Sequence, residues 1–152
     1  MSAEKRAAEL FLDFPVPPAS PAGTLHTRQV GKLLFVGGAL PIGEGRIQGK
    51  GRLGLEVSLD QGRGAARLAL IQALAMIREE VGSLDKVRQV VQLTGQIASG
   101  AEFHQQGKVL DQASQLLVEL FGAAGNHTRT AIGVTALPQQ ACVQIELIVE
   151  IK

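Results

Sequence analysis

Arg129-Thr-Ala-Ile-Gly-Val-Thr-Ala-Leu-Pro138, followed by Val143-Gln-Ile-Glu-Leu-Ile-Val-Glu-Ile151, is the stretch on which the fold class turns. Both runs are short and rich in apolar and β-branched residues, so they read as strands. The Leu137-Pro138 turn between them predicts a hairpin that closes the domain. The first run opens with an arginine flanked by His127, Thr128 and Thr130. A guanidinium is a rigid fork of donors that matches a planar carboxylate. At the head of an otherwise apolar strand it calls for a ligand, a partner acid or a subunit contact.

Working back from this stretch, glycines at 122 and 125 end a helix spanning about residues 103–121. Its apolar positions are Val109, Leu110, Ala113, Leu116, Leu117, Leu120 and Phe121, and Ser99-Gly-Ala-Glu102 fits a capping box ahead of it. Val87 to Ala98 carries Val87, Val90, Val91, Thr94 and Ile97, a strand composition. Before it, Ala66, Leu70, Ala73, Leu74, Ile77 and Val81 form one helical stripe, opened by the capping box Ser58-Leu-Asp-Gln61 and stopped by Gly82. Thr24–Val30 and Leu33–Val36 read as two strands turning at Gly31-Lys32, with Gly37-Gly38 breaking the second. The glycine-rich stretch 43–54 reads as a loop with a short strand near Arg46-Ile47. Residues 1–21 read as a docking helix (Ala3 to Leu12) and a Pro-rich linker, and residues 22–152 as the domain. The order β-β-β-α-β-α-β-β predicts a two-layer α+β sandwich with the helices on one face of the sheet.

Composition narrows the function. Lys+Arg number 15 against 14 Asp+Glu, and no basic run offers an electrostatic footprint for nucleic acid. Trp and Tyr are absent, which removes the usual base-stacking platform. Cys142 is alone, so no intrachain disulfide forms, and a reduced, cytoplasmic setting is expected. Glu4, Lys5, Arg6, Glu9 and Asp13 interrupt any secretory h-region, and no apolar run reaches membrane-spanning length. His26, His104 and Cys142 show no metal-ligand spacing, so no metal is expected. Gly49-Lys-Gly-Arg-Leu-Gly54 matches G-x-G-x-x-G but follows no long strand, and Ser58 opens the helix instead, so it reads as a loop whose Lys50 and Arg52 could edge an anion cleft. Cys142 has no histidine base beside it in sequence and reads as a packed thiol.

Three strings resemble the Rid/YjgF family of reactive-intermediate deaminases, also labelled L-PSP endoribonucleases. They are Val30-Gly-Lys-Leu-Leu-Phe-Val-Gly-Gly-Ala-Leu-Pro41, Ser83-Leu-Asp-Lys-Val-Arg-Gln-Val-Val-Gln-Leu-Thr94, and His127-to-Pro138 with the strand that follows it. Val109-to-Gly122 is similar to a longer-helix branch of that family. The resemblance runs from about residue 22 to the C-terminus. It implies a chorismate-mutase-like fold and a homotrimer with clefts between subunits. It also implies a small carboxylate metabolite as ligand, and hydrolysis of 2-imino or 2-enamino acids to 2-keto acids and ammonia without metal or cofactor.

Carried over position by position, the resemblance makes Arg129 the carboxylate clamp. The family glutamate that holds water falls at Gln144, the family serine at Gly37, a helix asparagine at Asp111 and a tyrosine at Thr24, while His127 is expected to line the same cleft. An amide orients water but takes no proton, and losing positioned acid–base chemistry costs roughly 10²–10⁴ in rate. Glu146 lies on the same strand face as Gln144, about 7 Å along, and is the alternative carboxylate. The expected function is therefore binding of a small carboxylate metabolite in an inter-subunit cleft through Arg129, with imine/enamine deamination of weak or altered activity as its enzymatic form. The alternative is a non-catalytic small-molecule-binding or regulatory homologue, and the endoribonuclease or translation-inhibitor label draws little support from this composition.

Overall fold

The core of the molecule is one five-stranded sheet, seen in a computed structural model that describes residues 1–152. The elements are α1 (Ala3–Glu9), β1 (Thr27–Val30), β2 (Leu33–Ala39), β3 (Ile42–Gly43), β4 (Arg46–Ile47), α2 (Leu59–Val81), β5 (Val87–Ala98), α3 (Gln106–Phe121), β6 (Thr128–Val134) and β7 (Val143–Ile151). The strand order is β1-β2-β7-β5-β6, and β3-β4 form a separate two-stranded ribbon. All pairings in the main sheet are antiparallel except β5 with β6, so the sheet is mixed.

Strand alternation divides the sheet into a covered and an open face. On β7, Val143, Ile145, Leu147, Val149 and Ile151 are buried, while Gln144, Glu146, Ile148 and Glu150 point the other way. The covered face packs against α2 and α3 in a core of 33 buried residues. The α2 stripe does so as its spacing requires: Ala66, Leu70, Ala73, Leu74 and Ile77 are fully buried. Its capping box is complete, since the Gln61 N–H donates to Ser58 Oγ at 3.2 Å and the Ser58 N–H donates to Gln61 Oε1 at 2.9 Å. Gly82 ends α2 in the left-handed conformation at φ 90°. No helix is long and apolar enough to cross a membrane.

Three local expectations are corrected. The last two strands do not form a hairpin: β6 pairs in parallel with β5, and β7 pairs with β5 and β2. A parallel neighbour needs a long crossover, which α3 supplies between β5 and β6. The chain then passes the end of β5 through residues 135–142, where the Ala98 N–H donates to the Cys142 carbonyl and Gln139 and Gln140 both take positive φ. Gly37-Gly38 does not break β2. Val36 faces Leu147 and Ala39 faces Ile145, so one extra residue bulges within the strand, with Gly38 at φ 69°. Finally, Ser99 caps nothing. Its hydroxyl donates to the Ile97 carbonyl, and α3 begins at Gln106 behind Gln105, which makes no side-chain cap.

α3 lies close to β5 because position 95 has no side chain: a Cβ on Gly95 would stand 2.5 Å from Leu110 Cδ1. The N-terminal segment is tied to the domain at several points. Glu4 Oε1 accepts from the Leu84 N–H at 2.8 Å and from Arg78 Nε at 3.2 Å. Arg78 also stacks 4.5 Å from the Phe14 ring, and His26 Nε2 donates to the Pro18 carbonyl.

Candidate functional site

Arg129 and Glu146 sit on opposite faces of the sheet. Arg129 is in register with the buried Leu93, so its side chain leaves β6 on the covered side, at the sheet edge. Glu146 is in register with Thr94 and projects from the open face. Each residue gathers its own partners.

The arginine cluster is built by α3 lying across the β6 edge. Asp111 and Ser114, three residues apart, share one helix face. Arg129 Nη1 donates to Asp111 Oδ1 at 3.0 Å and to Ser114 Oγ at 3.2 Å. His127 Nδ1 lies 2.6 Å from the Gly125 carbonyl and Nε2 lies 3.0 Å from Ser114 Oγ. A carbonyl only accepts, so Nδ1 carries a proton, and Ser114 Oγ, which accepts from Arg129, links the ring's Nε2 to the guanidinium. The guanidinium is thereby oriented by two side chains while its Nη2 and Nε find no protein acceptor. Nη2 lies over the first turn of α3, 3.4 Å from where Gly107 would carry a Cβ. The Arg129 side chain is 30% exposed and that of Asp111 43%, so both remain accessible.

The second cluster is a cavity of about 460 Å³ in the open face, lined among others by Glu146, Gly37, Arg28, His26, Gln92 and Thr94. The β2 bulge places Gly37 beside Glu146. Its N–H is already used, donating to the His26 carbonyl at 3.1 Å. Neither Glu146 nor Arg28 belongs to an ion pair; the pairs in the chain are Arg78–Glu4, Arg88–Glu150 and Arg129–Asp111.

The residues expected at one cleft therefore separate into groups. Arg129, Asp111 and His127 cluster together, and Gly37 joins Glu146. Thr24 lines an adjoining cavity that shares His26 and Arg28, and its hydroxyl is engaged with the Pro21 carbonyl at 2.7 Å. Gln144 lies one pleat beyond the Glu146 cavity, and its Nε2 reaches Gln96 Oε1 at 3.4 Å. Sequence reading overlooked Arg28 and Ser114. Arg28 shared with Arg129 the local string His-Thr-Arg at the head of a strand; Ser114 had only its three-residue spacing from Asp111.

The remaining candidates occupy other places. Cys142 is fully buried, with Sγ 3.4 Å from where a Gly49 Cβ would lie, and burial pushes its thiol pKa up to about 11. That is the setting of an inert packed cysteine. Lys50 and Arg52 border a separate cavity of about 560 Å³ at the end of the sheet, beside Glu56, whose carboxylate accepts from the Arg52 N–H at 3.0 Å. No three His, Cys, Asp or Glu side chains converge in a way that could hold a metal ion.

Comparison with known proteins places this geometry. The sequence model of a family described as "YjgF/chorismate mutase-like, putative endoribonuclease" matches residues 9–151. Protein TCP17 of Trypanosoma cruzi is 33% identical over 143 residues, covering 92% of this chain and 89% of that protein. The crystal structure of Atu1372 from Agrobacterium tumefaciens is 36% identical with a TM-score of 0.92, covering 99% of this chain and 92% of that one. A Shewanella oneidensis MR-1 protein with the same endoribonuclease description superposes with a TM-score of 0.95 at 28% identity, covering 99% of this chain and 100% of that one.

Proposed function

The chain belongs to the YjgF/chorismate mutase-like family, and from that premise we propose that it is a ring-forming imine or enamine hydrolase whose cleft lies between subunits. In this reading Arg129 of one copy holds the substrate carboxylate, and Glu146 of the next copy, rather than Gln144, positions the water. The carrying observation is the separation of the two groups. β6 and β7 flank β5, so their backbones stand about 10 Å apart, and Arg129 and Glu146 leave them on opposite faces. No small substrate touches both within one chain.

The open face supports assembly. Val30, Leu33, Phe35 and Ile132 are 62%, 38%, 43% and 47% exposed on the strands that flank the Glu146 cavity. Apolar surface of this kind on a sheet marks a contact face. Three copies related by a closed rotation would each lay the β6 edge of one against the open face of the next. We take the homotrimer as the assembly.

The chemistry follows from the side chains. The free Nη2 and Nε donors of Arg129 hold the carboxylate of a 2-imino acid in a fixed orientation. Glu146 takes a proton as water oxygen bonds to the imine carbon, and the proton passes to nitrogen. As the C–N bond breaks, Glu146 takes the remaining hydroxyl proton, and a 2-keto acid and ammonia leave. No metal or cofactor enters this scheme. Ribonuclease chemistry is less well supported, because His26 and His127 are both held by main-chain carbonyls and lie in different clusters.

The test is keto-acid release from an imine generated in situ by an amino-acid oxidase. Light scattering should give about 48 kDa, three times 16.0 kDa. Glu146→Gln should lower the rate by roughly 10²–10⁴. A stable 16 kDa species, or a Glu146→Gln variant as fast as the wild type, overturns the proposal.

A further inference from the structure

We propose that the Arg129 cluster selects a zwitterion, meaning a ligand with a protonated nitrogen next to its carboxylate, over a 2-oxo acid. α-Amino acids and protonated 2-imino acids belong to this class. The inference rests on Arg129 being the carboxylate clamp and says what else the clamp requires.

Its basis is the state of the guanidinium. Asp111 Oδ1 stands 3.0 Å from Nη1, so the cluster presents a neutral ion pair rather than a free cation. A simple anion approaching Arg129 meets a carboxylate as well. Lys108, one turn earlier on α3, forms no ion pair with Asp111, so Arg129 is the carboxylate's only charged partner in the chain. The geometry is also one-sided. Both protein contacts of the guanidinium use Nη1, leaving Nη2 and Nε open, and Asp111 Oδ2 has no donor. The cluster therefore offers outward-facing donors and an adjacent charged acceptor. A carboxylate on the donors places an α-ammonium or iminium nitrogen within reach of Asp111, and both charge-assisted contacts form together.

The same argument separates substrate from product. Hydrolysis replaces the C=NH₂⁺ donor by a C=O acceptor. The keto acid then turns an oxygen lone pair toward the Asp111 carboxylate, two acceptors with no proton between them. Asp111 thereby holds the nitrogen-bearing reactant and weakens the hold on the keto acid.

L-alanine and pyruvate test this, because they share a three-carbon carboxylate skeleton and differ at the α-position. Calorimetry on the assembled wild-type protein should show L-alanine binding at least about tenfold tighter than pyruvate. Asp111→Asn keeps the size and removes the charge, so it should weaken L-alanine, strengthen pyruvate and reverse the order, with only a small change in thermal unfolding because the ion pair it breaks is solvent-accessible. Arg129→Ala should bind neither ligand. Equal or tighter binding of pyruvate by the wild type, or an unchanged ratio in Asp111→Asn, overturns the zwitterion inference and leaves the carboxylate clamp standing. If binding of both ligands is indifferent to Arg129→Ala, the clamp reading fails and this inference with it.

Discussion

Two inactive variants should make an active enzyme when mixed. Arg129→Ala removes the clamp and Glu146→Gln removes the water-positioning acid, and the sheet separates these residues onto opposite faces. If each cleft takes Arg129 from one copy and Glu146 from its neighbour, a cleft is intact when the first copy is Glu146→Gln and the second is Arg129→Ala. With equal amounts and random assembly each condition holds with a probability of one half, so about one quarter of all clefts are whole. Each variant alone has none. The variants are co-expressed with different tags, mixed assemblies are isolated through both tags, and keto-acid release is measured. Selecting mixed trimers excludes the homogeneous ones, which raises the expected rate to about one third of wild type per subunit, since one cleft in three is then whole. Against a loss of roughly 10²–10⁴ in the Glu146 variant alone, the recovery is large. Mixed assemblies no faster than the parent variants would refute the shared cleft, as would an Arg129→Ala protein that retains wild-type kcat/KM.

Other outcomes follow from the same geometry. Gln144→Glu should give no gain in rate, because Gln144 lies one pleat from the cavity and reaches Gln96 instead; a gain of tenfold or more would return the water-holding role to position 144. Gly95→Ala should destabilise the chain by about 1–3 kcal/mol in urea melts, because its Cβ would meet Leu110 at 2.5 Å and press α3 outward; unchanged stability would mean that α3 yields without cost. The Cys142 thiol, raised from 9.0 to about 11, holds its proton more tightly in the folded state. Its contribution is complete below pH 9 and falls as pH rises from 9 to 11, by about 2–3 kcal/mol in all. Melts at pH 8 and pH 10.5 should therefore converge for wild type and Cys142→Ala as pH rises, whereas parallel losses would show that the thiol does not carry the effect.

The secondary structure was largely legible in the sequence because it depends on local patterns. The α2 stripe and its Ser58–Gln61 box, the strand 87–98 and the alternation from Val143 to Ile151 are periodic, and one buried face enforces the period. The motifs around Arg129 were also sufficient to indicate the family. Pairing was not legible. The runs before and after Leu137-Pro138 look like a hairpin, yet β5 lies between them, because α3 carries the chain over to the far edge. Nothing within either strand encodes which neighbour it will take; the packing of α3 over Gly95 settles it.

The candidate site divides in the same way. Residue types were readable, so Arg129, Asp111, His127 and Glu146 could be selected from the sequence alone. Which of them meet depends on side-chain facing and strand order together. Register puts Arg129 with Leu93 on the covered face and Glu146 with Thr94 on the open one. The Gly37-Gly38 bulge sets Gly37 beside Glu146 rather than Gln144, and one face of α3 brings Asp111 and Ser114 to the arginine. In sequence Gln144 and Glu146 are equivalent positions on one strand face. Only the tertiary structure distinguishes them, because a cavity needs walls from several strands, and β1, β2, β5 and β7 provide them at Glu146.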